Sequence, residues 1–540
     1  METTIAIAGG IGLFLLGMAV MTDGLKALAG SALRTVLAKA TSTSLSGTVW
    51  GAVVTLLVQS SSATTMTTIG LVSAGLLTFP QGLSLVFGAN IGTTGTGWLV
   101  ALLGVRISLT AYALPIVFVG ALLKLIGKGR WAASGTSMAG FALLLVGLTT
   151  LQEGMSGLAE HLHPADLPPV LGGPGVAWWQ GVAGLLALVA TGIVMTTVMQ
   201  SSTAAITITI SALFAGAIGL DQAVALVIGQ NIGTSTSSAM AAIGASNTAK
   251  RLAVAYIAFK VIAAIIALVL FPLTARLMLG AAETIDPVTL VAAYHTAYNV
   301  VGVAILLPLI GPFTRAIERI VPDRGSAFTR YLDPAALSAS PVVAVEAARR
   351  TVAHVLEALC LSTTSSGGNT VGRQASEALH EVQAFLSKMT EPLPSEDERH
   401  WFMETVHALD HTTRLAGAIE ESAQTDASLD GPDERHALSL YADAMRSAAE
   451  GAALLEHITV QRTEAAPGEA EPASAIEELA RCSSELASLH ARLRRTTLES
   501  AASGKLTASD AIARVDAVRL LAERAHHAWR AAAYLAGTAT

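Results

Sequence analysis

The sequence predicts an all-α protein in two parts. Residues 1–312 are expected to form a polytopic membrane domain of two inverted-topology repeats with broken or re-entrant helices. Residues 342–540 are expected to form a cytoplasmic helical bundle, reached through a linker over 313–341. Three observations lead there: a sharp division of charge along the chain, an internal repeat, and a helical period in the polar half.

Charge comes first. Residues 1–310 hold 11 Lys/Arg and 8 Asp/Glu, whereas residues 311–540 hold 22 and 32. The net charge of −7 is therefore +3 on the first part and −10 on the second. Apolar stretches at 5–22, 106–126, 133–151, 176–199, 252–275 and 288–312 approach the roughly 20 residues that a spanning helix needs. The opening "METT" supplies no basic flank for a cleaved leader, so 5–22 reads as a retained first span. Cys360 and Cys482, the only cysteines, lie far apart in the polar half and fit a reducing compartment rather than a disulfide framework or zinc site. No basic tract with interleaved aromatics suggests nucleic acid. "SGKL" at 503–506 lacks the glycine spacing of a phosphate loop, and no HExxH or GxSxG is present, so nothing supports an enzyme.

The repeat is the strongest signal. "QSSSATTMTTIGLVSAGLLTFPQGLSLVFGANIGTT" (59–94) aligns without a gap on "QSSTAAITITISALFAGAIGLDQAVALVIGQNIGTS" (200–235), with 16 of 36 positions identical. Upstream, "LFLLGMAVMTDGL" (13–25) matches "LLLVGLTTLQEGM" (143–155) at an offset of 130. The two copies span about 5–131 and 132–312.

Charge around the copies suggests their orientation. Lys26, Arg34 and Lys39 follow the first copy's opening helix and belong on the cytoplasmic side. The equivalent loop of the second copy, 152–175, has three carboxylates and no Lys or Arg. Lys124, Lys128, Arg130, Lys250 and Arg251 then also fall on the cytoplasmic side. Inverted repeats of this kind are the plan of secondary transporters, with substrate and ions bound near the midplane at the repeat interface. Arg106, beside a span, is expected at the interface, and Asp221, with no counterpart in the other copy, at a helix start.

Each copy carries a neutral polar cassette inside an apolar region. One such cluster could be ordinary packing glue between membrane helices. Two copies of Q-S-S-[ST], each followed at the same distance by G-x-N-I-G-T, argue for binding. Gly88, Gly92, Gly229 and Gly233 flank the asparagines and are expected to permit helix interruption. Broken backbone at membrane depth is tolerated where it lines a cavity. Helix N-termini there attract anions, and hydroxyl and amide oxygens ligate a hard cation such as Na⁺. Neither cassette contains a Lys, Arg, Asp or Glu. An anion's charge would then be compensated by helix dipoles and a cotransported cation, which couples the two.

At these residues the chain resembles the type II sodium/phosphate cotransporter family in its bacterial form, which carries two Q-S-S-[ST] repeats and a C-terminal PhoU-like region. The resemblance implies sodium-coupled import of inorganic phosphate across the cytoplasmic membrane, with Na⁺ as coupling ion and no other cofactor. By motif, the substrate and ion site draws on Gln59, Ser60, Ser61, Ser62, Asn90 and Thr93, and on Gln200, Ser201, Ser202, Thr203, Asn231 and Thr234. His295 and Asn299 in "AAYHTAYNVVG" share a helical face and resemble a His-containing motif of the family; they are secondary candidates. A Na⁺-coupled carrier of another oxyanion such as sulfate, or a membrane phosphate sensor, are the alternatives. Partners are phosphate, Na⁺ and membrane lipid; the oligomeric state is open, a homodimer included.

The polar half is helical by period. Leu438, Tyr441, Met445, Ala448, Ala452 and Leu455 form one stripe, and Ile512, Val515, Val518, Ala522, Ala525 and Trp529 another. About five helices are expected, over 342–360, 369–390, 395–424, 431–459, and 475–503 together with 508–535, with a low-complexity linker at 463–473. The arginines at 315, 319, 324 and 330 place this part in the cytoplasm. PhoU-like proteins carry an E/D-x-x-x-D metal pattern on two helices. Here Arg414 follows Asp410 and His527 follows Glu523, so no transition-metal site is expected and these helices read as a partner surface.

Overall fold

The computed structural model describes residues 2–39, 43–103, 109–171, 176–241, 243, 247–322, 328–363, 368–393, 395–421, 431–457 and 472–538. Arg106, Arg324, residues 172–175 and most of 463–473 lie outside them, as do the side chains of Arg34 and Lys39. All regular structure among the described residues is helical. Contacts divide the chain into two units, 1–72 with 77–323 and 324–540 with 73–76.

In the first unit one order of elements occurs twice. Its first pass runs through α1 (Glu2–Lys39), α2 (Ser44–Val58), α3 (Ser61–Ser73), α4 (Phe79–Gly92), α5 (Thr94–Leu103) and α6 (Leu109–Ile126). A second pass follows with α7 (Arg130–Ala159), α8 (Trp178–Met199), α9 (Ser202–Phe214), α10 (Leu220–Gly233), α11 (Ser235–Ala241) and α12 (Asn247–Ala281). The unit closes with α13 (Pro287–Leu306) and α14 (Ile310–Ile320).

Among the described residues six windows are long and apolar enough to cross a membrane: Glu2–Leu28, Phe79–Leu102, Arg130–Ala159, Trp178–Met199, Asn247–Ala281 and Pro287–Leu306. The second of these escapes a hydropathy reading, because Asn90 and the neighbouring glycines and threonines dilute its apolarity. The stretch expected to span at 106–126 is α6, whose apolar described part, Ala111–Ile126, is shorter.

Glycines bring the helices together. Gly10, Gly17 and Gly24 of α1 lie on Leu151, Leu144 and Ser137 of α7, while Gly140, Gly147 and Gly154 lie on Met21, Phe14 and Ile7. Positions rise on one helix as they fall on the other, so α1 and α7 run antiparallel. A β-carbon on Gly17 would stand 2.3 Å from the Leu144 backbone nitrogen. The seven-residue spacing keeps the small residues on one seam, where membrane helices gain close van der Waals packing. Leu144, Leu148 and Leu151 of α7 are buried in the core of this unit.

The glycines beside the asparagines serve the same purpose. A β-carbon on Gly88 would lie 1.9 Å from the Thr48 carbonyl oxygen, and one on Gly229 2.0 Å from that of Val189. Both sit inside helices, α4 and α10, so the expected interruption is not at these residues. Helix breaks follow the other two flanking glycines, Gly92 and Gly233, which end α4 and α10, and further breaks fall earlier, at Gln59 between α2 and α3 and at Gln200 between α8 and α9.

Helix starts follow local chemistry. Thr43 caps α2, Thr78 and Gln81 form a capping box on α4, and Asp286 caps α13 with Pro287 behind it. Asp221 lies in the first turn of α10, at a positive helix end.

The expected linker over 313–341 is helical at both ends. α14 is amphipathic, burying Ile310, Thr314 and Ile317 and exposing Arg315, Glu318 and Arg319. At the far end comes α15 (Pro334–Ala339), capped by Asp333.

The second unit continues with α16 (Pro341–Ser362), α17 (Gly368–Leu386), α18 (Glu396–Glu421), α19 (Pro432–His457), α20 (Pro472–Ala502) and α21 (Ala508–Leu535). Its core includes Val352, Leu356, Leu379, Met445, Leu486 and Val518. Leu438 and Ile512, counted in the two stripes, are exposed, because the buried faces of their helices start at Ala437 and Ala511 instead.

Several charged groups are paired in this unit. Asp410 pairs with Arg414 at 3.0 Å and Glu523 with Arg519 at 2.9 Å, each along its own helix. The His411 and His527 Nδ1 atoms stand 3.0 Å apart. His354, Glu357 and Glu456 form a cluster in which Glu456 accepts from Tyr331 at 2.6 Å and pairs with Arg330 and His354.

Candidate functional site

The site begins with two backbone kinks. Gln59 has φ 57° and Gln200 φ 51°; among the described residues these are the only non-glycine positions with positive φ. A left-handed residue cannot continue a helix, so each glutamine stops one helix and lets another start two residues on. Ser60 and Ser201 then cap the new helices: the Ala63 and Ala204 amides donate to their Oγ atoms, both at 3.2 Å. The first amides of α3 and α9 keep no intrahelical acceptor.

Each glutamine side chain is anchored in the same way. The Thr96 hydroxyl donates to Gln59 Oε1, and the Ser237 hydroxyl donates to Gln200 Oε1 at 2.7 Å. Both donors follow their glutamine by 37 residues. The correspondence of the copies thus extends past residues 94 and 235 to a matched pair of hydrogen-bond donors.

A cavity of about 310 Å³ opens on these kinks. Gln59, Ser60, Ser61 and Ser62 line it from the first copy, and Gln200, Ser201, Ser202, Thr203 and Thr234 from the second. Asn90, Asn231 and Thr93 are not on its wall. Asn90 and Asn231 are buried one layer behind, each donating its amide to the carbonyl four residues earlier, at 2.8 and 3.0 Å. The Thr93 hydroxyl bonds the Ala89 carbonyl at 2.9 Å and finishes α4. His295 and Asn299 are also buried, and Asn299 Nδ2 donates to Asn231 Oδ1 at 3.3 Å.

Several lining residues lie outside the cassettes. Thr22, Asp23 and Lys26 come from α1, Thr196 from α8 and Tyr256 from α12. Thr196 Oγ1 is buried without a hydrogen-bond partner, whereas its counterpart in the first copy, Thr55, donates to Thr64 at 2.9 Å. Helix α12 supplies the layer behind the wall. Tyr256 donates to Asn90 Oδ1 at 3.1 Å, and Lys260, one turn on, donates to Asn231 Oδ1 at 3.3 Å. Cassette reading alone passes over both, although a lysine in the middle of the 252–275 apolar stretch is visible as an exception.

Chemically, the wall offers hydroxyl donors, amide oxygens and two helix N-termini. Such a wall binds a small oxyanion by hydrogen bonds and dipoles, and its oxygens also suit a hard monovalent cation. Asp23 and Lys26 add one charge of each sign near its α1 side.

Comparison with known proteins agrees with this chemistry. The family model described as Na+/Pi-cotransporter matches residues 13–153 and 182–283, which include both kinks and α12. YqeW of Bacillus subtilis (strain 168), an uncharacterized protein, is 32% identical over 311 residues, covering 58% of this chain and 96% of its own length. The putative inorganic phosphate export protein YjbB of Escherichia coli (strain K12) is 25% identical over 464 residues, 81% of this chain and 82% of that protein. Sodium-dependent phosphate transport protein 2B of Homo sapiens is 48% identical over 61 residues, 11% of this chain and 9% of that protein. No solved structure matches the chain.

Proposed function

The chain belongs to the Na+/Pi-cotransporter family, and on that premise we propose that it is a sodium-coupled secondary carrier of inorganic phosphate. Phosphate transport and a membrane location follow from the family and the apolar helices. Sodium coupling, direction and the assignment of residues are the proposal.

The observation that carries it is the pair of left-handed glutamines, which open two helix N-termini onto one hydroxyl-lined cavity. Phosphate is assigned to the free amides and hydroxyls of Ser61, Ser62, Ser202 and Thr203. Sodium is assigned to oxygens of the same cassettes, including Gln59, Gln200 and Thr234. Asn90, Asn231, Thr93, His295 and Asn299 hold the wall from behind. The antiparallel α1 and α7, which carry the matched segments 13–25 and 143–155, support inverted topology for the copies. The segment after residue 341 is read as a cytoplasmic PhoU-like regulatory domain, on the strength of the basic residues before it and its six long helices.

Direction follows the gradients acting on a secondary carrier, and an inward sodium gradient drives import. Export is the second reading. It is favoured by the relatives named as phosphate exporters, whose likeness extends over 464 residues and so into the second unit.

The test is flux of labelled phosphate in proteoliposomes, with sodium, potassium or pH gradients imposed separately and in either direction. Phosphate flux that follows the sodium gradient is expected. Flux indifferent to sodium removes the coupling. Equal competition by sulfate shifts the substrate to oxyanions in general, and binding without any flux points to a sensor.

A further inference from the structure

Lys260 is 2% exposed, and among the described residues of the first unit it is the only buried Asp, Glu, Lys or Arg. An ammonium at membrane depth is costly and needs compensation. Its hydrogen-bond partner is Asn231 Oδ1, an amide oxygen, and among the described residues no carboxylate stands within ion-pair distance of it. Other acceptors nearby are unfilled. Asn299, which bonds the same Asn231 oxygen, has no partner for its own Oδ1, and His295, on the same face one turn earlier, has none for Nδ1. Amide oxygens without a counter-charge, grouped behind the wall of an anion cavity, are the ligands a sodium ion takes, and here an ammonium lies among them.

Among the described residues no similar cation serves the first copy. Its Asn90 receives a neutral phenol, from Tyr256. Helix α6, which holds the place of α12 in the first pass, has no charged residue before Lys124, and that lysine is exposed in its last turn.

We propose that the Lys260 ammonium is a tethered cation standing in for one coupling sodium ion at the node formed by Asn231, Asn299 and His295. It supplies positive charge behind the phosphate cavity without travelling across the membrane. The chain accordingly moves phosphate with one sodium ion fewer than the same site would require with a small neutral residue at 260. This rests on the sodium-coupled reading above, and the test separates the two.

In proteoliposomes, Lys260→Ala opens the node to a mobile ion, and the sodium dependence of phosphate flux steepens, its Hill slope rising by about one. Lys260→Arg keeps the wild-type slope, and Lys260→Met, which fills the space without charge or ligands, loses flux at every sodium concentration. A second measurement needs no flux. The sodium-specific rise in unfolding temperature is taken in NaCl against choline chloride at fixed ionic strength, without phosphate. It is larger for Lys260→Ala, or for Lys260→Gln should the alanine variant aggregate, than for wild type, because an additional bound ion stabilises the folded state. Sodium-specific shifts no larger than wild type's overturn the tethered cation and leave the transport reading in place. Wild-type protein without sodium-driven flux removes the transport reading, and the thermal comparison still decides the role of Lys260.

Discussion

Gln59 and Gln200 perform one task twice. Each ends a helix in the left-handed region, at φ 57° and 51°, and each side chain accepts a hydroxyl bond from the residue 37 positions later. Left-handed backbone costs an ordinary residue roughly 1–2 kcal/mol. Two such costs at matched positions, with both side chains lining the same cavity, place backbone strain at the proposed site twice over.

Glycine and alanine at these positions separate the two contributions. Gln59→Gly and Gln200→Gly relieve the left-handed strain and are expected to match or exceed wild-type unfolding temperature, while Gln59→Ala and Gln200→Ala keep the strain. All four lose phosphate flux. Wild-type flux in either glycine variant would show that the side chain is not part of the site.

The hydroxyls that hold the glutamines have a graded role. Thr96→Val and Ser237→Ala each remove one hydrogen bond, worth about 0.5–1.5 kcal/mol net. Half-saturation for phosphate should rise by up to roughly tenfold in either variant, with expression unchanged, as read from flux against phosphate concentration.

The α1–α7 seam discriminates between glycines on one helix. Gly17→Leu drives a side chain into the Leu144 backbone, whereas a β-carbon on Gly12 meets nothing within 4 Å. Overpacking of this kind costs about 1–3 kcal/mol or more. Size-exclusion chromatography in detergent should show aggregated Gly17→Leu beside monodisperse Gly12→Leu.

In the second unit, Glu456 gives a pH signature. Burial opposes its charged form, but bonds from His354, Tyr331 and Arg330 prevail and hold the carboxyl at about 2, below its ordinary 4.5. The folded state therefore binds fewer protons than the unfolded state between these values. Its stabilising contribution is complete above pH 4.5 and is lost as pH falls toward 2. The difference in unfolding temperature between wild type and Glu456→Gln should be constant near neutrality and shrink on acidification through that window.

The histidine cluster acts in a higher range. Burial first, and the neighbouring His527 charge next, push His411 down to about 4. His526, Asp410 and Arg530 also act on it, and Tyr534 stacks against it. From pH 6.5 down to about 4 the unfolded chain takes up a proton that the folded chain refuses, so stability falls as pH falls. His411→Gln should flatten that decline in unfolding-temperature profiles of the full chain.

How much of this was legible in the sequence depends on the kind of interaction. Helical class and the long helices of the second unit follow from periodicity, because a buried stripe leaves a trace in the residues themselves. The cassettes were visible as repeats, and their glutamine and serine residues line the cavity. The left-handed breaks at Gln59 and Gln200 were not. Glycine signals conformational freedom, yet Gly88 and Gly229 are used for close contact, and the left-handed positions fall to glutamines whose side chains have partners. Asn90 and Asn231 share a motif with the wall but are buried behind it, because their amides are turned back on their own helices. Tyr256 and Lys260 belong to no motif, and their meeting with Asn90 and Asn231 depends on tertiary packing that spacing cannot express.

Helix α12 reaches both copies from one side: a phenol to Asn90 and, a single turn later, an ammonium to Asn231. A symmetric pair of identical half-length chains would have to offer each asparagine the same neighbour. This chain has given up that option. A gene divided between residues 131 and 132 would yield a first product lacking the donor to its own Asn90 and a second product carrying both donors. The two copies have thus diverged at the level of the fold, and the first depends on a helix of the second for the donor to its asparagine.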